Sequence, residues 1–130
     1  MRSHVWQQHP FVPRPWSEIA SFLDDMAGAH PEFAHMAAIV DTVIGRGAET
    51  DLAGCTSMHD LLVVPTPVPD PPYDVIRVCS PSSIRVVGAG WVLIEHVTVT
   101  GRDDRIYRPV TDAVPLFWRF IREKFGIVPS

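Results

Sequence analysis

Apolar residues in the first third of the chain recur at helical spacing. Residues 16–27, "WSEIASFLDDMA", place Trp16, Ile19, Ala20, Leu23, Met26 and Ala27 at i, i+3, i+4, i+7, i+10 and i+11. Residues 33–44, "FAHMAAIVDTVI", repeat the template with Phe33, Met36, Ala37, Val40, Val43 and Ile44. Such a stripe turns one side of a helix toward a core. The far side of the first carries Glu18, Ser21, Asp24 and Asp25, and Ser17 is its expected N-cap. Between the two, "GAHP" offers Gly28 to end one helix and Pro31 for the first turn of the next. A connection this short makes the helices packed neighbours. Gly45 and Gly47 close the second helix, and the run "RGAETDLAGCTS" at 46–57 reads as a surface loop.

From Met58 the period changes. "HDLLVV", "DVIRV", "SIRVV", "GWVLIEHVTVT" and "RIYRPV" are short, rich in β-branched residues and bounded by Pro and Gly, the pattern of five strands. In the longest, Trp91, Leu93, Glu95, Val97 and Val99 share one face, and Val92, Ile94, His96, Thr98 and Thr100 the other. "TGRDD" supplies turn chemistry for a hairpin into "RIYRP".

Between the first two of these runs lie Pro65, Pro67, Pro69, Pro71 and Pro72. Alternate prolines in an extended strand strip every donor from one edge and leave the other able to pair. That predicts a protected, proline-rich edge strand, with a polyproline II arm as the alternative. A ligand for an aromatic-lined groove is the functional reading, but such ligands sit in tails rather than between core strands.

"TDAVPLFWRFIREKFG" returns to helical spacing. Thr111 is the expected N-cap, Pro115 falls in the first turn and Gly126 ends the helix. Val114, Phe117, Phe120, Ile121 and Phe125 make its apolar face; Arg119, Arg122, Glu123 and Lys124 mark the wet side. The element order predicts an α+β fold. The N-terminal helix pair and the C-terminal helix pack on one face of a mainly antiparallel sheet of about five short strands. All 130 residues form one domain, with 1–15 an extended or mobile arm that includes His4 and His9.

Charge divides unevenly. Eight acids face three bases up to Pro65, and seven face eight beyond it, for a net charge of −4. A pI near 5.8 lacks the basic stripe of a nucleic-acid binder. No stretch reaches the length of a membrane span, and no apolar segment opens the chain as a secretory signal does. Cys55 and Cys79 show neither CxxC nor zinc spacing. Both are expected to be free thiols in a cytoplasmic protein.

Candidate chemistry is sparse. Glu95 is its centre: a carboxylate on the most apolar face of the longest strand must pair with a cation, hold a metal or carry a raised pKa. As a catalytic acid or base it would form a ligand pocket with Trp91, His96 and His59, set between helices and sheet. As a structural group it would pair with Arg77, Arg85 or Arg105. His96 points away from Glu95, and His59 and His96 lack a third ligand, so no metal and no cofactor is expected. His35 is expected to be solvated, and Cys55 in "CTSMHD" to be a bland loop thiol. Arg105, Tyr107, Arg108, Trp118, Arg119 and Arg122 form the candidate interaction surface. With no convergent catalytic set, the leading expectation is a small non-catalytic binding protein of accessory, inhibitor or immunity type. It would bind a protein partner or a second copy in a homodimer. The alternative is a small enzyme or metabolite-binding domain with Glu95 as acid/base.

Overall fold

The structure is a computed structural model and describes residues 5–129. Its helices are α1 (Trp16–Ala29), α2 (Ala34–Gly45) and α3 (Ala113–Phe120), the last continued by a π-helical turn, Ile121–Phe125. Its strands are β1 (Leu52–Ser57), β2 (Asp60–Pro65), β3 (Val75–Cys79), β4 (Trp91–Val97) and β5 (Asp104–Pro109). They form one antiparallel meander in the order β1-β2-β3-β4-β5, an α+β architecture with the helices on one face.

The helical stripes meet that face. Ile19, Leu23, Met36, Ile39, Val40, Val43, Phe117, Phe120 and Ile121 pack in one cluster with Leu61, Val63, Ile76, Val78, Val92 and Ile94. Each such aliphatic or aromatic side chain contributes roughly 1.5–3 kcal/mol on full burial. Pro31 opens a 3-10 turn before α2, and Gly126, at φ 69°, ends the last helix with its N–H on the Arg122 carbonyl. Ser17 and Thr111 do not cap. Pro15 and Pro109 precede the helical turns there, and no side chain bonds the freed amides.

Two strand assignments change. The expected loop at 46–57 contains β1, and the expected strand at 83–87 is the loop between β3 and β4. β1 reads poorly as a strand because "LAGCTS" lacks bulk. Pairing along all of β2 and the fit of Gly54 under Trp16 hold it in the sheet. A two-residue turn, Met58–His59, joins β1 to β2 with φ 49° and 72°, and carries none of the glycine or asparagine that usually announces one.

The prolines do not form an edge strand. β2 is paired on both sides, and 66–74 is its irregular connection to β3, with cis bonds at Thr66–Pro67 and Pro71–Pro72. Edge protection falls instead to the N-terminal arm. Arg14 N–H donates to the Gly54 carbonyl at 2.9 Å and the Trp16 indole N–H to that of Leu52 at 2.8 Å, so the outer side of β1 is covered. Residues 9–13 belong to no helix or strand, and the arm meets the sheet at Gln7, Phe11 and Arg14. Phe11 packs with Ala53, Leu62, Val64, Tyr73, Val75 and Val97 on the outer face of the sheet. The fully buried Gln7 donates Nε2 to the carbonyls of Tyr73 (2.8 Å) and Val97 (3.3 Å). His9 is exposed, and His4 lies outside the described residues.

Candidate functional site

Strand alternation divides the outer face into an apolar half under the arm and a polar half beneath residues 80–90. In the register, Leu62, Arg77, Glu95 and Arg105 are successive partners across four strands. Cation therefore alternates with anion along one row.

Glu95 and Asp60 are both fully buried. Glu95 Oε2 accepts from Arg105 Nε at 2.7 Å and lies 3.4 Å from Arg85 Nη2, while Oε1 accepts from the Cys79 thiol at 3.6 Å. Asp60 Oδ2 accepts from Arg77 Nε (2.8 Å), Arg77 Nη2 (2.6 Å) and Ser83 Oγ (2.8 Å), and Oδ1 from the Ser80 amide at 2.8 Å. Arg105 Nη2 also lies 3.6 Å from Asp103. Three guanidiniums thus balance three carboxylates. Each oxygen of these two buried carboxylates meets at least one donor, so the fold holds both in place. Its hydrogen bond to Glu95 keeps Arg105 more firmly protonated than usual. Burial, with Asp60 and Glu95 close by, pushes the Cys79 thiol up to about 12, so it stays a donor and not a thiolate nucleophile. Cys55 is pushed up to about 11 by burial, partly offset by Arg14.

Arg85 and Arg105 are two of the three arginines expected for Glu95, whereas the third, Arg77, pairs with an anion the sequence reading does not place in the network, Asp60. Its one signal is an acid at the head of the wholly apolar run "DLLVV".

The other candidate residues disperse. Trp91 stacks on Tyr107 on the outer face (5.1 Å, 12°), each 41% exposed, and the Tyr107 hydroxyl accepts from the Gly88 amide at 2.6 Å. His59 occupies the β1–β2 turn, stacked on Phe22 at 5.6 Å with Nδ1 3.0 Å from Ser82 Oγ. His96 lies on the helix face, its ring edge-on to Phe125 at 6.2 Å. Trp91, His96 and His59 therefore line no common pocket. Core side chains fill the space between helices and sheet, and a cleft of about 310 Å³ opens at the rim, between residues 31–35 and 87–91. Among the described residues no three His, Cys, Asp or Glu side chains converge for a metal ion.

The expected interaction surface also divides. Arg105 and Tyr107 project from the outer face of β5, and Arg108 from the other. Trp118 is buried rather than presented: its indole N–H donates to Thr42 Oγ1 at 2.9 Å and Arg46 covers its ring at 4.8 Å. Arg119 pairs with Glu123 at 3.3 Å, one turn on.

His35 is half-buried, not solvated, and its enclosed Nε2 has no hydrogen-bond partner among the described residues. Burial lowers its pKa from the ordinary 6.5, against a hydrogen bond to the Glu32 backbone that raises it. Burial likewise lowers that of His96, which Asp74, Asp103 and Asp104 oppose and Lys124 reinforces. The unfolded chain takes up these protons first as pH falls. Stability from this source is whole above about pH 6.5 and is lost as pH falls toward the depressed native values. Urea midpoints measured between about pH 7 and about pH 5 should fall, and His35→Phe should flatten that slope.

Compared with known proteins, the chain matches no family, no curated protein and no solved structure.

Proposed function

We propose that the protein is a non-catalytic interaction protein whose contact is the open edge of β5, taken up by β5 of a second copy. The observation that carries this reading is the contrast between the sheet's two edges. β1 is covered by the arm, whereas every residue of β5 except Ile106 is exposed. The Val110 amide bonds the Gly90 carbonyl, so by antiparallel alternation the amides of Arg105 and Tyr107 and the carbonyl of Pro109 point outward. Such a row is a template for a further strand.

The charge pattern of "DRIYR" favours a copy of itself as that strand. In the antiparallel register centred on Ile106, Asp104 faces Arg108 of the copy, Arg105 faces Tyr107 and Ile106 faces its equivalent. Opposite charges meet twice, and two guanidinium–aromatic pairs flank an apolar centre. The Tyr107 carbonyl, which now accepts from Arg108 Nη1 at 3.1 Å, would take the incoming Arg105 amide and free Arg108 for Asp104. Against catalysis stands Glu95, buried and held by Arg105 and Arg85.

Sedimentation or native mass spectrometry should find a dimer. Tyr107→Pro removes one outward amide and no bond within the sheet, and should yield monomers, whereas Tyr107→Ala keeps the amide and should still dimerise. Asp104→Arg alone should weaken the dimer and Asp104→Arg with Arg108→Asp should restore it. A monomeric parent, or a dimer indifferent to Tyr107→Pro, overturns the reading.

A further inference from the structure

Arg119 and Arg122, placed by sequence on the wet side of the C-terminal helix, find a third guanidinium in the fold. Pro115, Trp118, Arg119 and Arg122 stand at i, i+3, i+4 and i+7, one face of α3 and its π-helical continuation. Arg46, just beyond the C-terminus of α2, reaches across to this face and lies over Trp118. With Ile127, Val128 and Pro129 of the final segment, these groups line a cavity of about 330 Å³. That volume is at the small end of the range for organic ligands.

The charges do not cancel. Glu123 is the acid paired here, and it engages Arg119 through Nε alone, at 3.3 Å to each oxygen. Arg122 makes no ion pair among the described residues, and Arg46 has only the indole face. Three guanidiniums therefore converge against one carboxylate, in a recess whose other wall is proline, isoleucine and valine. Guanidinium forks suit planar carboxylates in particular, because two parallel N–H groups match the two oxygens.

We infer that this cavity binds a small organic carboxylate, its anionic group held by Arg122, Arg46 and the free side of Arg119 and its apolar body against Pro115, Ile127 and Val128. The two-sided lining distinguishes such a ligand from a bare inorganic anion, which would leave the apolar wall unused. It also distinguishes it from a neutral aromatic, which would leave the guanidiniums unpaired. The site is separate from the β5 edge and does not depend on that edge's role.

The experiment is an NMR titration of the full chain with benzoate, reading the Arg Nε–Hε and Trp118 indole resonances, with inorganic phosphate and benzyl alcohol as comparison probes. Benzoate should shift Arg46, Arg119, Arg122 and Trp118 together and saturably in the millimolar range. Arg122→Gln, at an exposed position, should weaken it roughly tenfold, as expected for losing one charge-assisted hydrogen bond. Arg46→Gln should weaken it similarly, and added salt should weaken it further. Phosphate and benzyl alcohol should each bind more weakly than benzoate. Absence of saturable shifts, equal binding in Arg122→Gln and Arg46→Gln, or a comparison probe that matches benzoate overturns the inference.

Discussion

Asp60→Ala should be among the most damaging single substitutions in this protein, costing about 3–5 kcal/mol of unfolding free energy. The carboxylate is wholly buried and receives four hydrogen bonds, from Arg77 (two), Ser80 and Ser83. Its removal leaves the Arg77 guanidinium, itself only 14% exposed, without its counter-ion, and frees the loop after β3 that Ser80 and Ser83 tie down. Asp60→Asn keeps the volume and some acceptors but not the charge, and should fall between. Glu95→Gln should cost less, because its partners Arg105 and Arg85 have side chains 45% and 36% exposed and can recover water. Urea unfolding of the three variants gives the order directly. If Asp60→Ala lowers stability by less than Glu95→Gln, the network is not arranged around Asp60 as its geometry implies.

Gly54→Val should be comparably severe for a steric reason. A Cβ at position 54 would lie 2.6 Å from Trp16 Cη2, well inside contact distance, so either β1 or the indole must move. Overpacking of this kind costs about 1–3 kcal/mol, and here the indole also donates to the Leu52 carbonyl, so displacement forfeits a hydrogen bond as well. Trp16→Ala, which empties the space, should itself cost about 3–5 kcal/mol. The informative construction is the pair. Gly54→Val placed in the Trp16→Ala background should be far less harmful than in the parent, a coupling readable from a four-member cycle of melting or urea curves. Additive losses would mean that the clash is relieved elsewhere.

The helices were legible because their apolar residues repeat with period 3.6 and their ends carry proline and glycine. β2 and β4 were legible for the matching reason, one as a continuous apolar run buried on both faces, the other as a long run rich in β-branched residues bounded by glycines. β1 was not. Its residues are small because Trp16 lies on them, and that demand comes from an element some forty positions earlier. The run 83–87 fails in the opposite sense: "SIRVV" has strand composition, yet Ile84 and Val86 are 77% and 95% exposed and pair with no strand. The prolines were legible as a refusal to pair, but not as a connection, since local sequence does not say which strands lie at the rim of a sheet.

At the site, alternation put Glu95 among arginines on neighbouring strands, but it did not separate Arg85 and Arg105, which pair with it, from Arg77, which pairs with Asp60. Among the described residues the Asp60 carboxylate has no partner near it along the chain; its partners come from β3 and the loop beyond it. Trp118 falls on the candidate interaction surface because Phe117, Trp118 and Phe120 span more of the helix circumference than one core contact covers. The end of α2 supplies the second, through Thr42 and Arg46.

In the proposed pairing through β5, the arm laid over β1 would also set where growth stops. A sheet open at both rims can add copies without limit and become a fibre; one open at a single rim consumes its only adhesive side in the first union. Two chains joined through β5 would present nothing outward but the rims that Arg14 and Trp16 occupy. In that dimer the N-terminal segment would act as a terminator of polymerisation, and losing its grip would expose a second adhesive rim to the next chain.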